Sequence, residues 1–259
     1  MKEFAAELQA RLNVDTAFTI PIFGGIPVAE SVVISWVVIA ILASIAWFLT
    51  RNMKVQHPGK RQLLAETIVT WLDGFIGEML GENAKEYTTY LETVILYIGL
   101  ANIIGLLGMK PPTKDMNVTA ALAIMSIILI EAAGIRRRRI TGWLHSFTEP
   151  IAIVTPINIL EIGIRPLSLC MRLFGNVLGS FVIMELIDML IPVGLPLIFS
   201  AYFDIFDGFI QAYVFVFLTA LFIAEAVEIP EPSEKKKRKR KSRRQKAQEA
   251  LEAAEEQIS

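Results

Sequence analysis

The feature that most constrains this chain is the run from Val32 to Leu49, 18 consecutive apolar or small residues relieved only by Ser35 and Ser44. A run of this length is about the minimum that crosses ~30 Å of hydrocarbon. Lipid offers the backbone no hydrogen-bond partners, so such a segment can only be a helix. Arg51, Lys54, Lys60 and Arg61 follow it at once. Positive residues collect on the cytoplasmic side. That rule places this loop inside and residues 1–31 outside.

The same logic extends along the chain. Hydrophobic residues make up 54% of the 259 positions, high for a soluble domain, and the expectation is one polytopic membrane unit over residues 32–228. Residues 91–109 form a second span, with Gly99, Gly105 and Gly108. Lys110 to Asp115 contains Pro111 and Pro112 and reads as a tight turn. Residues 118–135 form a third span carrying Glu131, stopped by Arg136 to Arg139. Between the first two spans, Leu64, Ile68, Trp71, Leu72, Phe75, Ile76 and Leu80 recur at helical spacing, interrupted by Glu66, Asp73 and Glu78. This predicts an amphipathic helix lying on the cytoplasmic surface.

Beyond Glu149 the pattern changes. Pro192 and Pro196 separate two long stretches, 157–190 and 197–227, each carrying charge. Both exceed the ~20 residues of a perpendicular crossing, and a hairpin of two steeply tilted membrane helices is expected. Between residues 140 and 234 the only lysines or arginines are Arg165 and Arg172. A guanidinium stays protonated, and at membrane depth it costs roughly 3 kcal/mol on insertion scales. Arg172 is therefore read as a functional residue that meets an anion.

Helical geometry groups the polar residues. At about 100° per residue, Arg165, Ser168, Asn176 and Gly179 fall within about 40° of Arg172, and Glu161 and Gly175 within about 60°. Glu185 and Asp188 fall on the opposite side. On the last helix Ser200, Asp204, Asp207 and Glu225 fall within about 40° of Gln211. Acids and amides at this depth mark a water-filled ion path.

Other chemistries lack their residues. The lone Cys170 excludes an internal disulfide, and His57 and His145 have no metal-ligand spacing. The start Met1-Lys-Glu-Phe-Ala-Ala-Glu-Leu does not read as a secretory signal. Neither His-Glu-x-x-His nor Gly-x-Ser-x-Gly occurs, which argues against an intramembrane hydrolase. A stand-alone secondary transporter using an intramembrane Arg–Asp pair is the alternative reading, but the halves differ in span length and charge and no repeat is visible.

The stretch Arg165-Pro-Leu-Ser-Leu-Cys-Met-Arg-Leu-Phe-Gly-Asn176 resembles subunit a of F-type ATP synthases. So do Pro111-Pro-Thr-Lys-Asp-Met-Asn-Val-Thr119, Pro156-Ile-Asn158 through Glu161, and Gln211-Ala-Tyr-Val-Phe-Val-Phe-Leu-Thr219, in the same order. The resemblance covers roughly residues 20 to 228. It implies an all-α polytopic membrane fold: one first span, a surface helix, a membrane hairpin, and two long tilted helices packed against a rotating c-ring. It also implies two offset half-channels that couple proton or sodium flow to rotation and ATP synthesis. No catalytic site, cofactor or metal is implied in this chain. Arg172 matches the family's essential arginine, Asn176 its asparagine, Ser168 its serine and Gln211 the glutamine that faces the arginine. Arg165 matches a basic position, and Asp204 falls where members vary. Phe181 stands where many members have glutamate or histidine, so inlet chemistry is expected at Glu185 with Asp204 or Asp207. The implied partners are the c-ring, the peripheral-stalk b subunits and the rest of the complex in a bacterial plasma membrane, with the C-terminus cytoplasmic.

The remaining segment, 229–259, has no counterpart in the resemblance. Residues 235–244 hold nine basic residues in ten. Residues 1–234 hold 15 basic and 22 acidic residues, the last 25 hold ten and four, and the near-neutral total hides this division. The tail is expected to be disordered and to touch anionic lipid headgroups. Nucleic acid is not an expected partner.

Overall fold

In the computed structural model the described residues are 16–21, 26–56, 58–107, 109–148, 152–190, 199 and 201–228. Apart from one small hairpin and the connecting turns they are helical. Strands β1 (Thr16–Ile20) and β2 (Ile26–Ala29) pair antiparallel, with Phe18 opposite Val28 and an irregularity between Thr16 and Phe18. The sequence reading had no strand here.

Helix α1 (Glu30–Thr50) contains the first apolar run and α2 (Lys60–Leu80) the amphipathic one. Helix α2 buries Ala65, Leu72, Ile76 and Leu80 on one face and leaves Leu63, Leu64, Ile68 and Trp71 exposed on the other. Helix α3 (Thr88–Ile103) continues as a 3-10 turn to Leu107, so the expected span 91–109 is α-helical only to Ile103. Pro111 and Pro112 enforce the tight turn, and a short 3-10 helix (Pro112–Lys114) leads into α4 (Met116–Ser146). Asp115 caps α4 by accepting a hydrogen bond from the Asn117 backbone N–H, a contact worth ~1 kcal/mol.

Helix α4 is broken at Arg139, where φ is 59° and ψ 162°. The chain doubles back there. Trp143 Nε1 donates to Glu131 Oε2 at 2.8 Å, and the Trp143 ring lies 3.5 Å from where a Cβ on Gly134 would sit.

Helix α5 (Thr155–Leu190) and α6 (Gly208–Val227) are the two long elements, and a π-helical segment (Ala201–Asp207) precedes α6. At ~1.5 Å per residue α5 is longer than ~30 Å of hydrocarbon is thick. The connection through residues 191–198 lies outside the described residues, as does the basic tail. Among the described residues four helical stretches are long and apolar enough to cross a membrane: Glu30–Thr50, Met116–Ser146, Thr155–Ile187 and Ile205–Val227.

One core joins α2 to α6. Ile76, Leu91, Ile98, Ile130, Leu169, Leu173, Val216 and Ile223 are its most enclosed members. Helix α6 lies chiefly on α3 and α4, and α5 chiefly on α4. A smaller cluster of Ile34, Val38, Ala101 and Ile104 seats α1 on α3.

Candidate functional site

The two arginines of α5 have opposite surroundings. The Arg165 side chain is only 19% exposed. Its Nη2 reaches Glu161 Oε2 at 3.0 Å and Glu225 Oε1 at 3.1 Å, and its guanidinium lies 4.9 Å from the Phe222 ring centroid. Arg172, two helical turns on, is exposed, and among the described side chains no hydrogen bond or ion pair engages it.

The distribution of apolar residues on α5 explains the contrast. Leu169, Cys170, Leu173 and Val177 point into the core. The opposite arc leaves Ile157, Leu160, Ile164, Leu167 and Met171 exposed. Arg172 stands on that outer arc with Ser168, Gly175 and Asn176, all exposed. A helix buried on one side and apolar on the other is built for lipid or another apolar partner. Arg172 is a fixed cation set in that surface.

The remaining predicted residues do not share one environment. Glu161 is exposed and bound to Arg165, and Glu185 and Asp207 are half-buried. The side chain of Asp204 lies outside the described ones. Gln211 is 6% exposed and packed beside Ala212 and Phe215, whereas the Glu225 side chain is 59% exposed. The stripe expected at 100° per residue is therefore divided. The π-helical segment closes i→i+5 rather than i→i+4, so a step of 100° per residue does not hold within Ala201–Asp207.

A polar cavity of about 180 Å³ opens between α4, α5 and α6 on the side of the four-arginine run. Glu131, Arg138, Asn158, Glu161, Arg165 and Glu225 line it. Arg138 Nη2 donates to the Glu225 carbonyl at 3.2 Å, and Asn158 Nδ2 donates to the Phe147 carbonyl at 2.9 Å. Ile162 also lines it. Pro166 has no N–H to return to the Ile162 carbonyl. Charged walls suit water.

At the other end of the helices is a buried polar cluster that sequence reasoning missed. Asn102, Thr113, Lys114, Asp115 and Ser31 are all buried. Ser31 Oγ donates to Asp115 Oδ2, and the Lys114 ammonium sits 3.7 Å from the Phe181 ring centroid. The only advance signal was the Pro111–Thr119 motif, which marks the segment without saying what each residue touches.

The sequence is similar to those of known proteins. The family model described as ATP synthase A chain matches residues 32–224. A protein named ATP synthase subunit a 2 from Bradyrhizobium sp. is 36% identical over 205 residues, covering 79% of this chain and 91% of the relative. ATP synthase subunit a of Moorella thermoacetica is 32% identical, covering 79% and 93%. A Propionigenium modestum protein named ATP synthase subunit a, sodium ion specific, is 31% identical, covering 78% and 75%. A polytopic helical chain with those relatives and an exposed arginine in its apolar surface belongs to the subunit a family of F-type ATP synthases, the non-catalytic, ion-translocating stator subunit of the membrane sector.

Proposed function

We propose that Arg172 is the fixed cation that meets the carboxylates of a rotating c-ring, and that the exposed arcs of α5 and α6 form the surface facing that ring. The observation that carries this reading is the exposure of Arg172 among Ile164, Leu167 and Met171, with no described side chain engaging it. A rotor carboxylate in lipid is neutral because desolvation disfavours its charged form, and beside Arg172 it ionises because the cation favours charge. The carboxylate loads on one side of Arg172 and unloads on the other. The cation prevents a loaded site from slipping directly between the two.

The cavity around Glu131, Glu161, Arg165 and Glu225 is the outlet to the cytoplasm. It adjoins the Arg136–Arg139 run, which marks the inner side. Glu185, Asp204 and Asp207 serve the inlet, and Ser168, Asn176 and Gln211 flank the arginine. The transported ion is a proton or sodium. Peripheral-stalk b subunits complete the stator. The chain sits in a bacterial plasma membrane with its N-terminus outside and C-terminus inside, where residues 235–244 meet anionic headgroups.

The decisive experiment is ATP-driven ion pumping by vesicles holding the assembled complex. Arg172→Ala should abolish pumping while the chain still co-purifies with the ring. Normal pumping by an assembled variant would refute the role.

A further inference from the structure

We infer that Asn102 is a positioning residue for ion translocation, fixing the junction that carries Asp207 and Gln211 against the rest of the stator. This rests on the ion path proposed above.

Asn102 lies at the end of α3 and is 4% exposed. Its amide is used from both ends. Nδ2 donates to the Gly208 carbonyl at 3.1 Å, and Oδ1 accepts from Thr113 Oγ1 at 2.8 Å. Gly208 is the first residue of α6, directly after the π-helical segment. A side chain entering the backbone ladder at such a point fixes where the helix turns, and π-helical turns occur frequently at functional sites. The approach is too close for any side chain at position 208: an added Cβ would lie 2.7 Å from Asn102 Cβ. The glycine and the asparagine are thus a matched pair.

The other half of the amide ties this junction to the remaining helices. Thr113, fully buried, belongs to the short turn Pro112–Lys114. The next residue, Lys114, stacks on Phe181 of α5, and Asp115 accepts from Ser31 of α1. One short turn therefore grips α1, α3 and α5, and Asn102 extends the grip to α6. Asp207 precedes the pinned glycine and Gln211 follows it by one turn, so a shift of the junction moves both.

The test uses the assembled complex in vesicles, with co-purification, pumping per complex, and maleimide reactivity of an Asp207→Cys reporter. Asn102→Ala should assemble, pump on the order of tenfold less per complex, and change the reporter's labelling rate without altering that of a control Met53→Cys in the exposed loop after α1. Gly208→Ala should do the same, because its Cβ would collide with Asn102 Cβ and displace the junction. Wild-type pumping and labelling in Asn102→Ala, where Arg172→Ala does not pump, would overturn the inference and leave the ion path standing. Reduced assembly with unchanged pumping per complex would also overturn it, since the role would then be folding alone. Normal pumping by Arg172→Ala would instead sink the ion path itself.

Discussion

Arg165 and Glu225 link the two long membrane helices, with Arg165 Nη2 3.1 Å from Glu225 Oε1 and 3.2 Å from Oε2. The same nitrogen holds Glu161 on its own helix, so one guanidinium bridges two acids at the mouth of the polar cavity. It lies two helical turns before Arg172 and ties α5 to α6 there.

Removing that bridge should have a small, salt-sensitive effect. The Glu225 side chain is 59% exposed, and exposed pairs contribute roughly 0.5–1 kcal/mol. Glu225→Gln should lower thermal stability by about that much at low salt, and the difference should shrink as salt screens the pair. Melting curves at two ionic strengths would measure it. A salt-independent loss would mean the contribution is packing.

Conservative replacement at the central cation should not preserve function. Lysine keeps a charge but lacks the planar fork of donors. Arg172→Lys in an assembled complex should lose ATP-driven pumping nearly as completely as Arg172→Ala, with the catalytic head still hydrolysing ATP. Pumping at wild-type rate would show that any cation suffices.

Arg139 holds a backbone conformation that favours glycine, with φ at 59°. Strain of this kind costs about 1–3 kcal/mol, and a glycine gives back part of the gain through its unfolded-state freedom. Arg139→Gly should therefore raise stability by about 1 kcal/mol, seen as a higher melting temperature. A lower one would assign the position to the arginine side chain.

Phe181 supports a buried ammonium. The Lys114–Phe181 contact is nearly desolvated, and such pairs are worth about 1–2 kcal/mol. Phe181→Leu should cost that much by thermal unfolding, whereas Phe181→Tyr, which keeps a ring face, should cost less. Equal losses would point to shape rather than the ring's electrostatics.

What could be read in advance follows a physical line. The spans around α1 and α4 were legible because hydrocarbon admits only uninterrupted apolar helix, and the period of α2 marked it as a helix, although of the residues it grouped Leu72, Ile76 and Leu80 are buried while Leu64, Ile68 and Trp71 are exposed. Arg172 could be singled out because a lone cation in an apolar run is costly. The hairpin of Thr16–Ile20 with Ile26–Ala29 was not, since short strands leave little pattern. Nor was the turn-back at Arg139, where four like residues conceal which one leaves the helix. The winding of Ala201–Asp207 as a π-helix was not legible either, because a fixed angular step cannot anticipate it. Asn102 was illegible for a plainer reason: its partners are Gly208 and Thr113, and distant pairing leaves no local trace.

The enclosure of Cys170 has a practical consequence. This sulfur, the chain's sole thiol, is 4% exposed and lies 3.6 Å from Thr119 Oγ1. The wild-type protein is thus close to a silent background for sulfhydryl reagents. A reporter introduced at any surface position can be read directly, with the native residue left in its place in the core.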